Sequence, residues 1–249
     1  MILRKFIKHV TDQNWFAVGL DVIVVIVGIF LGLQVQDWNE GRQLKQEERT
    51  YLQKLHDEVV LMKELSTSRL GERTFAVNNL QHVVDILAGN LAIDELGPDH
   101  CIAIAQSSNY QNSVGKLASI AELEGNNSSS IIQNVQITDI ISDYIRLHER
   151  WDNLTENARQ GSVILTNEFP ESFHLNSKIN IRGRSLENNS YSCNFELMIS
   201  NEAFKNILHS NARKYAVIGT FLRFHHERLI ALHSALDTEL AVTHEEPAQ

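Results

Sequence analysis

The chain has 249 residues, a net charge of −9 and only three prolines. Setting aside an apolar N-terminal segment leaves roughly 200 residues, enough to bury a core in one domain without staples. Acid in excess outside the first residues excludes a nucleic-acid-binding domain, because neutralising phosphates takes clustered Lys and Arg.

Residues 1–14 carry Arg4, Lys5 and Lys8 against Asp12. Ile2, Leu3, Phe6, Ile7 and Val10 recur between these charges at helical spacing, the pattern of a short helix lying on the inner leaflet; the alternative is a frayed tail. From Trp15 to Val35 the sequence reads WFAVGLDVIVVIVGIFLGLQV, interrupted only by Asp21 and Gln34. A helix of that length reaches about 31 Å, one hydrocarbon thickness. Trp15 and Trp38 flank it as interfacial anchors, so a transmembrane helix is expected over 15–36. The exit, Gln34-Val35-Gln36-Asp37-Trp38, lacks the small residues of a signal-peptide cleavage site. The Lys/Arg bias before the helix places the N-terminus in the cytoplasm and the main domain across the membrane.

Within this helix Asp21, Val25, Gly28 and Gly32 fall on one face, at spacings of four, three and four. A GxxxG pair lets helices approach closely, and an ionisable group inside a bilayer usually faces protein. That face is therefore the expected contact with a second copy or with another membrane protein. The alternative is that Asp21, about 9 Å in from Trp15, reaches the cytoplasmic interface.

Residues 37–65 read as a polar stalk running into the first bundle helix, where Leu52, Leu55, Val59 and Met62 keep an a/d spacing of coiled-coil type. A break is expected between Ser66 and Gly71, then a second helix over 69–88 using Leu70, Phe75, Leu80, Val83, Val84 and Leu87 and stopped by Gly89-Asn90. Pro98-Asp99 opens a helix, and a short helix over 115–124 ends at Gly125. A longer helix over 130–165 buries Ile140, Ile141, Tyr144, Leu147, Trp151 and Leu154. Pro170 begins an irregular or small β segment over 168–198, with strand-like Ile179-Asn180-Ile181 and a turn at Asn188-Asn189-Ser190. A long helix over 201–241 carries a near-heptad stripe through Leu208, Tyr215, Ile218, Leu222, Leu229, Leu232 and Leu236. Residues 242–249 read as a disordered tail. The expected fold is thus mostly α, with an extracytoplasmic helical domain over 66–241.

The basic head, Asp21 to Leu33 (DVIVVIVGIFLGL), then Gln34 to Glu40 (QVQDWNE) and Arg42 carry a likeness to known sequences. With a weaker echo over Leu117 to Tyr144, the chain resembles a bacterial family of membrane-anchored proteins with a domain of unknown function. The resemblance implies a single-pass topology and a bacterial inner-membrane setting. It implies no activity.

Cys101 and Cys193 are the only cysteines, with no CxxC or Cys/His ligand spacing around them. In an oxidising compartment they are expected to form a disulfide. His225-His226-Glu227, with His233 further on, is the most site-like cluster. Adjacent helical residues point about 100° apart and do not readily share a metal, so His225, on the apolar stripe, reads as a buried, hydrogen-bonded structural histidine. Asp139, Asp143, Glu149 and Asp152, with His148 nearby, read as a solvated acidic face rather than an acid–base pair. Ser128-Ser129-Ser130 has no nucleophile context, and Lys178, Arg182 and Arg184 form the only small basic patch.

No residue is thereby assigned a catalytic, cofactor-binding or metal-ligating role, and no cofactor is expected. The function expected is that of a membrane-tethered, non-enzymatic periplasmic module binding or organising another envelope protein, with the lipid bilayer as its first partner. The alternative is a ligand-binding, sensor-like bundle that signals through a partner membrane protein.

Overall fold

The computed structural model describes residues 15–110, 115–125, 131–175 and 191–242. Outside them lie the amphipathic segment with Arg4, Lys5 and Lys8, the Ser128–Ser130 run, Ile179 to Ile181 with the turn at Asn188, the basic patch of Lys178, Arg182 and Arg184, and the tail from Thr243. The described chain is mostly helical with one two-stranded antiparallel sheet. It forms two compact units, Met1–Tyr51 and Leu52–Gln249.

The helices are α1 (Trp15–Leu87), α2 (Pro98–Ala105), α3 (Ala118–Gly125), α4 (Val135–Gln160), α5 (Leu165–Glu168), α6 (Phe195–Ser200) and α7 (Glu202–Leu240). Strands β1 (Phe173–Leu175) and β2 (Tyr191–Cys193) pair antiparallel, with Phe173 opposite Cys193. Both strands lie inside the 168–198 stretch in which β structure is expected, and α6 begins within it too, capped by the Asn194 side chain accepting from Leu197 N–H.

In the second unit three helices share one rule. On α7 the buried positions from Phe204 through Leu208, Asn211, Tyr215, Ile218, Leu222 and His225 to Leu236 alternate four and three residues apart. On α4 Ile137, Ile141, Tyr144, His148 and Trp151 do the same, and on α1 so do Leu52, Leu55, Val59, Ser66, Arg73, Leu80 and Val83, with Met62 and Ala76 half-buried at the intervening places. This is the spacing that keeps one face of a helix against its neighbours. α7 runs antiparallel to α1, because His56 meets Asp237, Ser66 meets His226 and Arg73 lies over Tyr215. It is antiparallel to α4 as well, since Asn134 bonds Glu239, Tyr144 packs on His225, and Lys214 donates to the Gly161 carbonyl.

The break expected between Ser66 and Gly71 is absent; α1 is helical throughout. The hydroxyls of Ser66 and Thr67 donate back to the Lys63 carbonyl at 2.9 and 2.8 Å, a pattern the helix accommodates. Gly71 is exposed and costs about 1 kcal/mol relative to Ala, and the helix continues through it to the buried apolar turn at Leu80 and Val83. The same continuity corrects the expected stripe. Phe75 is 57% exposed, while Arg73 is 1% exposed. A repeat starting at Leu52 reaches Ser66, Arg73 and Leu80 and passes Phe75 by. On α4, likewise, His148 takes the buried position next to half-buried Leu147.

Ends are set by local chemistry. Gly89, at φ +80°, closes α1, its N–H donating to Ile86 O at 2.9 Å and Asn90 N–H to Asp85 O at 2.9 Å. α4 starts later than expected because the Asn134 side chain caps it, accepting from Gln136 and Ile137 N–H, and it stops at Gly161. α3 is tied to α1 by Glu58, whose carboxylate accepts from Ser119 N–H at 2.9 Å and Ser119 Oγ at 2.8 Å.

Asn211 takes a seam position on α7 and is 1% exposed. Its Nδ2 donates to Val163 O at 2.8 Å and lies 3.5 Å from Ser107 Oγ. Replacing it with alanine leaves a half-buried carbonyl without its donor and opens space in the seam, so Asn211→Ala is expected to cost about 2 kcal/mol in a denaturant melt. An unchanged midpoint would show that water makes good the lost bond.

Candidate functional site

The first unit holds the apolar run. From Leu20 to Val35 the large apolar residues whose side chains are described are all exposed, Val25 among them. α1 is the one helix among the described residues long and apolar enough to cross a membrane, and none of its apolar window is buried. A Cβ added at Gly28 or Gly32 meets nothing within 4 Å, so no packing among the described residues calls for glycine there. Trp38 is exposed and carries the Arg42 guanidinium 4.9 Å above its ring. The side chains of Trp15 and Asp21 lie outside the described residues. Beyond Trp38 the helix is polar, with Gln36 donating to Glu40 and Gln43 to Glu47.

In the second unit Cys101 on α2 and Cys193 on β2 are bonded, with Cα atoms 5.6 Å apart. Cys101 is buried.

The polar residues placed at bundle seams form two further groups. The first surrounds His225, fully buried between Tyr144, His148 and Trp151 at ring-centroid distances of 4.7, 5.6 and 5.2 Å. Neither His225 nitrogen has a hydrogen-bond partner among the described residues, so the bonded state expected for it is not found. Burial, reinforced by the nearby His148 and His226, brings the His225 imidazole down to about 3. Burial also lowers His148, against the pull of Asp152, whose carboxylate lies 3.4 Å from His148 Nε2. The acid row of α4 does not converge: Asp143 pairs with Arg146, Asp152 faces His148, and Asp139 and Glu149 are exposed. His226 points another way, its Nδ1 2.7 Å from Ser66 Oγ. Since that hydroxyl gives its proton to Lys63 O, it accepts from His226. Near the other end of the bundle Arg73 lies 3.8 Å over the Tyr215 ring and is lowered by burial. Gly219 makes room for it, because a Cβ there would come within 3.1 Å of Arg73 Cγ.

The second group joins α1 and α7. Asp237 Oδ1 lies 2.9 Å from His56 Nε2, and Asp237 Oδ2 lies 3.1 Å from His233 Nδ1. The two imidazoles stack at 5.2 Å with 23° between planes. Lys63 Nζ stands 3.3 Å from His233 Nδ1. One ligating atom from each of His56, His233 and Asp237 lies within 4.8 Å of the others. Sequence reasoning grouped His233 with His225 and passed over this set. The local signal was His233 and Asp237 at i and i+4 on one helix face; His56 was invisible because 177 residues separate it from His233 in the chain.

No protein-family model, curated protein or solved structure matches the chain.

Proposed function

We propose that the chain is a single-pass membrane protein of a bacterial inner membrane, with its N-terminus cytoplasmic and its helical unit periplasmic, acting as a tethered, non-enzymatic module that binds or organises another envelope protein. The observation that carries this reading is the apolar run from Leu20 to Val35, which no part of the described chain covers. A run of this length and exposure belongs in lipid. The Cys101–Cys193 bond suits an oxidising compartment, and the basic residues before the helix favour the stated orientation. The face of Asp21, Val25, Gly28 and Gly32 is the proposed contact with the partner, supported by glycines that no packing among the described residues requires.

The test is crosslinking of the full chain in membranes, with partner identification, beside a membrane two-hybrid assay of the segment. Gly28→Leu and Gly32→Leu are each expected to reduce association, and Val27→Leu, on a different face, to leave it intact. A reporter active only in the periplasm, fused after Gln249, is expected to be active. Crosslinks indifferent to both glycine changes would make the face ordinary lipid-exposed surface, and a reporter working only in the cytoplasm would overturn the orientation.

A further inference from the structure

We infer that His56, His233 and Asp237 form a binding site for a divalent transition-metal ion of the zinc class. The inference concerns the helical unit alone and stands apart from its partner or orientation. Two imidazole nitrogens and a carboxylate converge from two helices, within 4.8 Å of one another. Asp237 already splits its oxygens between them, Oδ1 toward His56 Nε2 at 2.9 Å and Oδ2 toward His233 Nδ1 at 3.1 Å. Small rotations of three side chains bring these atoms around one ion, and the i, i+4 spacing on α7 holds two of them on one rigid face.

The surroundings fit an exchangeable site. The three side chains are 10%, 11% and 19% exposed, largely shielded from solvent without being sealed off from it. Asp57 Oδ1 lies 3.6 Å from His56 Nδ1, on the far side of the ring. That carboxylate is 86% exposed and just beyond hydrogen-bond reach, placed to accept from Nδ1 once Nε2 is taken by a metal. The donor set selects the metal class. Two nitrogens and one oxygen suit zinc, cobalt, nickel or copper, whereas calcium and magnesium require mainly oxygen ligands.

Lys63 gives the site a feature that can be tested by gain as well as loss. Its ammonium stands 3.3 Å from His233 Nδ1 and 3.5 Å from Nε2, so it occupies the position of a competing cation. An incoming metal ion must repel this charge. Removing it is therefore expected to tighten binding, an outcome that damage to the fold does not produce.

The experiment uses the full chain, purified without a histidine tag in detergent or nanodiscs, and titrates Co²⁺ and Zn²⁺. One Co²⁺ per chain is expected, with a visible d–d spectrum that Zn²⁺ abolishes. Asp237→Asn and His56→Gln are each expected to weaken binding about 100-fold or more, beyond the roughly 10–100-fold typical of an outer-shell change. Lys63→Met is expected to strengthen it several-fold, and His209→Ala, elsewhere on α7, to leave it unchanged. Circular dichroism confirms that each variant is folded. Failure of the folded wild-type chain to take up a stoichiometric ion would overturn the inference, as would binding that survives Asp237→Asn or weakens in Lys63→Met.

Discussion

Replacing Cys101 and Cys193 together by serine is expected to lower the stability of the helical unit by about 3–5 kcal/mol, the chain-entropy value for a loop of this size. The cysteines are 92 positions apart, so the unfolded chain gains a large amount of freedom when the link is lost. For a unit of this length that corresponds to a fall in melting temperature of roughly 6–20 °C. The link also joins two short elements in a corner that packs on the core through Ile104, Phe173 and Met198. α2 and β2 are short, and among the described residues β2 pairs with three-residue β1 alone. Without the bond this corner keeps its packing around Phe173, on Phe204 and Tyr191, and is expected to open before the bundle does. Protein denatured without reductant should show no free thiol, and hydrogen exchange in the serine variant should rise first in α2 and β2. Two free thiols in the native preparation, or equal melting of oxidised and reduced protein, would contradict this.

The long helices were legible where apolar residues mark the seam. The repeat from Leu208 to Leu236 stands in the sequence because nearly every turn supplies Leu, Ile or Tyr, and α7 falls within a residue of its expected ends. Gly89-Asn90 and Pro98 likewise announce their roles, because one takes a left-handed conformation and the other cannot donate a backbone bond. The seam becomes invisible where it turns polar. Ser66 and Arg73 look like solvated residues, and only the fold shows that Arg73 is stacked on Tyr215 beside a glycine 146 positions away. Phe75 is apolar enough to suggest a core position, but its phase on α1 turns it outward. The same limit hid the site. His56, His233 and Asp237 meet only because α1 and α7 run antiparallel in that register, and no local spacing encodes the register of two helices so distant in sequence.

The largest pH effect is expected from His225. Its ring is fully buried and neutral, with a folded value of about 3 against about 6.5 in the unfolded chain. Above pH 6.5 it is neutral in both states, and the stability linked to it is fully present. As pH falls the unfolded chain takes up a proton that the folded chain refuses, so stability is lost between about pH 6.5 and pH 3. The shift corresponds to roughly 4–5 kcal/mol over that whole range, and about half of it by pH 4.5. His148, lowered by burial in the same layer, adds to the loss. His225→Leu removes the titrating group and puts an apolar side chain of similar size at a seam position between Leu222 and Leu229. It also removes two ring nitrogens that have no hydrogen-bond partner among the described residues. The variant is therefore expected to be at least as stable as the parent at pH 7 and to lose about 2 kcal/mol less between pH 7 and pH 4.5. Urea unfolding of both proteins at the two pH values measures the difference directly, because carboxylates elsewhere contribute equally to each. Equal acid losses in parent and variant would show that the ring takes up its proton in the folded state, and a variant much weaker at pH 7 would show that its nitrogens hold the bundle together.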